Sequence, residues 1–318
     1  MKINNLIGVS GYINNGKDLV GEMLMYIGET LDRNPTYWGF VEHEKYKNHK
    51  YSIDEVQTYE IRKCADKLKD IVAIVIGCSR AQLEDEIFKN TPLGPEWERW
   101  RLETCYAPHP EYSDSNEHYD DIEYHASEIE AKKSLKDQLI IYGTDCFSGH
   151  ITKEVLTPRK ILQLLGTQGG RMKVHPNIWV NSLFADYKQI GSPLVVRAKG
   201  LEPLYPKWII TDVRFPGNEG TAVTKHGGLL IGVRRKFAIR FPKYAHLRCL
   251  DRNRLYEDEY AVPRKLRDVD VELYKSLTHD SESSMEDHSW CDVVIENNGT
   301  LEELFDKVLD AVTTKIEV

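Results

Sequence analysis

The stretch LIGVSGYINNGK, Leu6 to Lys17, runs a short apolar segment into a glycine-bounded loop that closes on Gly16-Lys17. Helix-forming residues follow at once. Strand, Gly-x-x-x-x-Gly-Lys, helix is the order of a loop that cradles phosphates. Gly11 and Gly16 are expected to let the backbone turn tightly, so that the loop through Asn14 and Asn15 presents several N–H groups inward. Lys17 would add a point charge against the outer phosphates. The helix beginning there would aim its positive end at the same place. A nucleoside triphosphate is the expected ligand. The pattern departs from its usual form at the last position, where Asp18 replaces the Ser or Thr that offers a hydroxyl to magnesium. A carboxylate there would hold the metal directly or through water, but it also sets negative charge beside phosphates. The plainer alternative is a glycine-rich turn after a strand.

Outward from this stretch, apolar runs alternate with helical patterns. Leu6–Ser10 is expected as a strand and Lys17 to about Gly28 as a helix. Residues 57–64 form a mixed strand, followed by a helix over Ala65–Ile76. Ser79 with Gln82 has the form of a capping box opening a helix through Phe88. Thr157-Pro158 caps and starts a helix through Leu165. Asn177–Tyr187 continues as helix, with Ile178, Leu183 and Phe184 suited to one face. Lys207–Thr211, ending at Asp212, and Leu229–Val233, after the Gly227-Gly228 turn, are expected as buried strands around a short helix, Asn218–Lys225. Asp292–Ile295 is the last strand, and Thr300 with Glu303 caps a terminal helix through Val312. Such alternation implies an α/β fold with a parallel sheet covered on both faces. Ligands on such sheets bind beyond the carboxyl ends of the strands, where Gly11–Lys17 and Asp212 both fall.

The chain has 318 residues and a formal net charge of −8, which argues against a general nucleic-acid binder. The amino terminus lacks the form of a signal peptide, and the greasiest run, Ile71–Ile76, is far too short to span a membrane. The six cysteines are scattered without a C-x-x-C pair, so zinc and disulfide frameworks are not expected and a reducing cytoplasm fits. Oligomeric state is left open, a homodimer included.

Two stretches stand apart from the core pattern. Residues 92–156 are polar and aromatic, with eight Asp or Glu and no Lys or Arg between Glu111 and Glu130. A solvated insertion is expected there. Arg234–Arg254 is strongly basic and leaves a strand on the phosphate side of the sheet. It is either a solvated face or a mobile arginine lid, with the insertion as a whole running over about 234–277.

Phosphoryl transfer needs cations around the transferred group and a site for the acceptor. Asp212-Val-Arg214 sits at a strand end, where Asp would order magnesium and Arg grip a phosphate, or the two form a surface ion pair. In Gly166-Thr-Gln-Gly-Gly-Arg171 the glycines would let the backbone bend so that Arg171 reaches inward. A helix C-cap with an exposed arginine is the alternative. His175, His279 and Trp179 are candidates for holding a base or sugar.

Five stretches together resemble the deoxynucleoside monophosphate kinases of tailed phages, a branch of the phosphate-loop kinases: GVSGYINNGKD (8–18), CADKLKDIVAIVIGCSRAQLEDEIFKNTPL (64–93), TPRKILQLLGTQGGR (157–171) with HPNIWVNSL (175–183), WIITDVRFPGNEG (208–220), and HDSE (279–282) with VVIENNGTLEEL (293–304). They cover about half of the chain, and a Gly-Lys-Asp ending is typical of that family. The resemblance implies one P-loop NTPase-type domain of three layers, with acceptor-binding and lid insertions. It also implies transfer of the γ-phosphoryl group of ATP to a dNMP with Mg²⁺. On that basis Gly11, Asn14, Asn15, Gly16, Lys17 and Asp18 would hold ATP phosphates and metal, with Asp212 a second metal candidate. Lys69, Arg171 and Arg214 would meet the substrate phosphate or transition-state charge, with Lys17, Arg171 and Arg214 as the catalytic cations. Trp179 would stack on the acceptor base, and Asn297-Asn298-Gly299 would lie near the adenine. His279 and Glu282 match a recurring pattern without an assigned role. No general base is required, because a phosphate oxygen is already an anionic nucleophile. Two competing expectations are a kinase for another small acceptor such as dephospho-coenzyme A, and an ATP-binding module that is not a kinase.

Overall fold

A computed structural model describes residues 4–46, 59–106, 119–142, 147–190, 204–247, 260–278 and 288–314. The chain divides into two compact units, residues 1–67 with 174–318, and residues 68–173.

The first unit is built on a parallel sheet of five strands. In chain order these are β1 (Leu6–Ser10), β2 (Glu60–Arg62), β6 (Trp208–Val213), β7 (Leu229–Arg234) and β8 (Val293–Glu296). Their order across the sheet is β2-β6-β1-β7-β8, and every pairing is parallel. Alternate side chains feed opposite faces of the sheet. Ile7, Val9, Ile209, Leu229, Ile231 and Val233 point into one core with α1 (Lys17–Thr30), α2 (Tyr37–Tyr46) and the terminal helix Leu301–Thr313. Leu6, Trp208, Ile210, Val213 and Leu230 point into the other with α7 (Ile178–Phe184), Tyr187 and Val223. The result is helix, sheet, helix.

The expected alternation of strands and helices holds for these elements. Helix α1 buries Val20, Met23, Leu24 and Ile27, a stripe at i, i+3, i+4, i+7. The terminal helix carries the full reciprocal cap, Glu303 N donating to Thr300 Oγ1 and Thr300 N to Glu303 Oε2, both at 3.2 Å. In α7 the buried face differs from expectation. Trp179, Val180 and Leu183 are buried, whereas Ile178 and Phe184 are only half-buried. The face that meets the sheet is the one Val180 and Leu183 share with Tyr187, at i, i+3 and i+7.

After β1 the chain crosses to β2 on one side, returns to β6 beside β1, then passes over to β7 and β8 on the other side. The winding reverses around β1. In an open α/β sheet the crevice beyond the carboxyl ends at such a switch point is where ligands sit. The loop after β1 is placed there by topology.

The second unit holds the stretch expected as a solvated insertion, and that insertion has a sheet of its own. Strands β3 (Glu98–Tyr106), β4 (Tyr119–His125) and β5 (Phe147–Val155) form an antiparallel sheet in the order β4-β3-β5. Helix α5 (Glu128–Tyr142) packs on it, burying Leu102, Ala131 and Phe147. An antiparallel sheet needs only one apolar face, so a polar sequence can still make strands. Glu123 accepts from Ser134 Oγ at 2.7 Å and from Gln138 Nε2 at 3.0 Å, tying β4 to α5. Ser79 and Gln82 do form their reciprocal box. It opens only a single turn, Gln82–Glu84, because extended Asp85 breaks the helix and caps the next one, α4 (Glu86–Asn90), through Phe88 N at 2.9 Å. Helix α6 (Pro158–Gln163) has the expected Thr157 cap, then widens into a π-helix over Leu164–Val174.

Candidate phosphate-binding site

The loop from Gly11 to Gly16 leaves the central strand and enters α1. Asn15 N donates to Tyr12 O at 3.1 Å, closing a turn. The left-handed residues are Asn14, with φ 63°, and Gly16, with φ 92°. A Cβ on Gly16 would also lie 2.7 Å from Asn297 Nδ2, so glycine is required there twice over. Gly11 was expected to turn the chain as well, but it does not sit at positive φ. A Cβ there would lie 3.0 Å from Val233 O, so what it permits is close approach of the loop to β7.

Two loop carbonyls are held from outside. Ile13 O accepts from Arg240 Nε at 3.1 Å, and Asn15 O accepts from Asn297 Nδ2 at 2.9 Å. In a trans peptide the carbonyl and the following N–H point in opposite directions. The N–H groups of Asn14 and Gly16 are thereby turned away from those partners. Asn15 is fully buried, and its Nδ2 donates to Val233 O at 2.6 Å, fixing the loop to β7. Helix α1 starts with Gly16 as its cap and no side chain capping its first amides. Its N-terminal donors and partial positive charge add to those of the loop.

Asp18 stands in the first turn of α1. Its Oδ1 accepts from Lys63 Nζ at 2.8 Å and Thr211 Oγ1 at 3.2 Å, and Lys17 Nζ lies 3.9 Å from Oδ2. Burial pushes its carboxyl up. The Lys63 hydrogen bond and the charges of Lys17 and Lys63 outweigh that and hold it below its ordinary value of 3.8. Its side chain is 58% exposed and within reach of a cation, whereas Lys17 is 15% exposed. Lys63 was not singled out in the sequence, since a lone lysine at the end of a mixed strand carries no signal by itself.

Asp212 lies at the strand end, as expected, one residue before β6 closes at Val213. Its Oδ1 accepts from Cys64 N at 2.8 Å and its Oδ2 from Ala65 N at 3.2 Å. Burial raises its pKa despite those two amides. These two bonds tie the turn between β2 and α3 (Asp66–Ile76) to the sheet. Arg214 follows β6. Its backbone N donates to Glu219 Oε2 at 2.6 Å, and Phe215 N to the same oxygen at 3.0 Å. Glu219, 2% exposed, therefore shapes the loop that carries Arg214. It belongs to the WIITDVRFPGNEG stretch.

Asn297 is brought to the loop, but its side-chain amide is committed to Asn15 O and it is 5% exposed. It braces the loop. Asn298 Oδ1 accepts from Lys236 N at 3.0 Å and its Nδ2 donates to Tyr260 Oη at 3.1 Å. Trp179 is 8% exposed in α7. His175 is exposed, and its Nδ1 accepts from Asn177 N at 3.0 Å. His279 and Glu282 lie outside the described residues.

Lys69 and Arg171 belong to the second unit. Lys69 Nζ donates to both oxygens of Glu84, at 2.8 and 2.7 Å. Arg171 sits half-buried in the π-helix, so the alternative of a C-cap with an exposed arginine does not hold, and the glycines lie in a widened helical turn. The basic segment is folded where described. Phe237 and Tyr244 are buried with Leu266 and Leu277 in a small apolar cluster against which Ile13 packs. Of the segment expected as a solvated face or an arginine lid, residues 237–247 are anchored by aromatic burial. Arg248, Arg252 and Arg254 lie outside the described residues. Cys78 is a free thiol. Among the described residues no helix is long and apolar enough to cross a membrane. No protein-family model matches the sequence, and neither does any curated protein.

Proposed function

We propose that this chain transfers the γ-phosphoryl group of ATP to a deoxynucleoside 5′-monophosphate, like the phage-type deoxynucleoside monophosphate kinases that it resembles. The P-loop NTPase class of the fold is part of the same proposal. The observation that carries it is the loop beyond β1, whose Ile13 and Asn15 carbonyls are held from outside while α1 starts at Gly16. A multiply charged anion is the ligand such a cradle suits.

In this reading Lys17 neutralises the outer phosphates of ATP. Asp18 fits Mg²⁺, being an exposed carboxylate beside Lys17 and the Thr211 hydroxyl. When bound, the ion would supply charge neutralisation on the β- and γ-phosphates. Asp212, with both oxygens on backbone amides, supports the site from behind. Arg214, on a loop fixed by Glu219, meets substrate phosphate. The roles of Lys69, Arg171 and Trp179 rest on the sequence reading and the resemblance. The acceptor phosphate is its own nucleophile, so the residues act by alignment and charge.

The test is ADP release and product identity with purified protein, ATP, Mg²⁺ and each common dNMP, with dephospho-coenzyme A alongside. A nucleoside diphosphate formed from at least one dNMP is expected. Turnover with dephospho-coenzyme A alone would move the acceptor to that class. Slow ADP release indifferent to every acceptor would make the chain an ATP-binding module.

A further inference from the structure

Arg240 lies 227 residues from Ile13 in sequence, yet its Nε donates to the Ile13 carbonyl at 3.1 Å. It is 5% exposed, in the short helix Phe237–Arg240. A buried guanidinium is costly unless its surroundings compensate the charge. Here it lies 5.1 Å from the Tyr12 ring and 5.2 Å from the Phe241 ring, both within cation–π range. Tyr12 in turn meets the fully buried His288 edge-on, with ring centroids 5.8 Å apart. Ile13 is thus held at both ends. Its carbonyl is on Arg240, and its side chain packs against the Phe237, Tyr244, Leu266 and Leu277 cluster.

We infer that Arg240 is a positioning residue of the phosphate loop. Holding the Ile13 carbonyl fixes the plane of the Ile13–Asn14 peptide, and with it the direction of the Asn14 N–H. Asn14 is left-handed, a conformation that a non-glycine residue keeps only when its surroundings enforce it. The anion affinity of the loop therefore depends on the Arg240 hydrogen bond, which the helix Phe237–Arg240 holds in place. The basic segment acts on the nucleotide through the loop. The inference rests on the reading that this loop binds the phosphate tail of ATP.

Calorimetric titration of the full chain with ATP, and separately with inorganic tripolyphosphate, tests it. Arg240→Met is expected to weaken both ligands by about tenfold or more, the scale of a hydrogen bond from a charged donor. Tyr244→Phe, which removes the hydroxyl bonded to Asp270 at 2.5 Å, disturbs the same cluster away from the loop. It is expected to lower the urea midpoint while leaving both affinities unchanged. Methylguanidinium should restore part of the tripolyphosphate affinity to Arg240→Met. Arg240→Met binding both ligands as the wild type does would overturn the inference. Should that variant not fold, Arg240→Lys carries the test, because it keeps the charge without the Nε–H. Reduced affinity supports the inference and wild-type affinity overturns it. Wild-type protein that binds neither ligand would instead defeat the reading of the loop itself.

Discussion

Gly16 holds a φ of 92°, and a side chain there would meet the Asn297 amide at 2.7 Å. Gly16→Ala is therefore expected to cost about 1–3 kcal/mol of stability, the scale of one strained residue. ATP affinity should fall with it, because relief of the clash moves Asn297 off the Asn15 carbonyl. Urea melts and a nucleotide titration on the same sample check both. Asp18 makes a prediction about pH. Its folded pKa lies below the ordinary value of 3.8 because Lys63 and Lys17 favour the charged form. The unfolded chain then binds the proton more tightly, so the contribution is present above the ordinary value and lost as pH falls through the depressed one. Between about pH 5 and about pH 2, wild type should lose stability more steeply than Asp18→Asn. Parallel curves in urea would show that the Lys63 contact is not formed in solution.

At the scale of elements, the terminal helix depends on its cap. Thr300→Ala removes the acceptor of Glu303 N and is expected to cost about 1 kcal/mol, read from the urea midpoint. That cap was legible because Thr-x-x-Glu is a local signal. So were β1, β6 and β7, whose apolar runs reflect burial on both faces. The loop after β1 was legible for the same kind of reason, glycines and a lysine at fixed spacing ahead of a helix. Strands β3, β4 and β5 were not, since ERWRLETCY, YDDIEYH and FSGHITKEV bury one face at most and carry many charges. Helix α2, only weakly amphipathic, was missed too. The π-helix over Leu164–Val174 keeps the glycines that suggested a bend, but no local rule distinguishes a widened helix from a C-cap. Contacts made over long sequence separation, such as Lys63 with Asp18, Arg240 with Ile13 and Asn297 with Asn15, leave no periodic trace at all.

At the scale of the whole molecule, the first unit brings five loops to the carboxyl ends of one parallel sheet, with the Gly11–Gly16 loop at the reversal of winding. A ligand bound there only when the chain is folded should raise apparent stability. ATP at about a hundred times its dissociation constant should add about 2.7 kcal/mol, and tripolyphosphate should act in the same sense. Thermal melts with and without ligand check this, and Lys17→Ala should lose most of the shift. The most direct measurement is nucleoside diphosphate formed from ATP and a dNMP by wild-type protein and by folded Lys17→Ala side by side. The account predicts product from the wild type and a rate lower by about a hundredfold or more in the variant, on the scale of losing one preorganised electrostatic contact. Equal rates in the two proteins would contradict it.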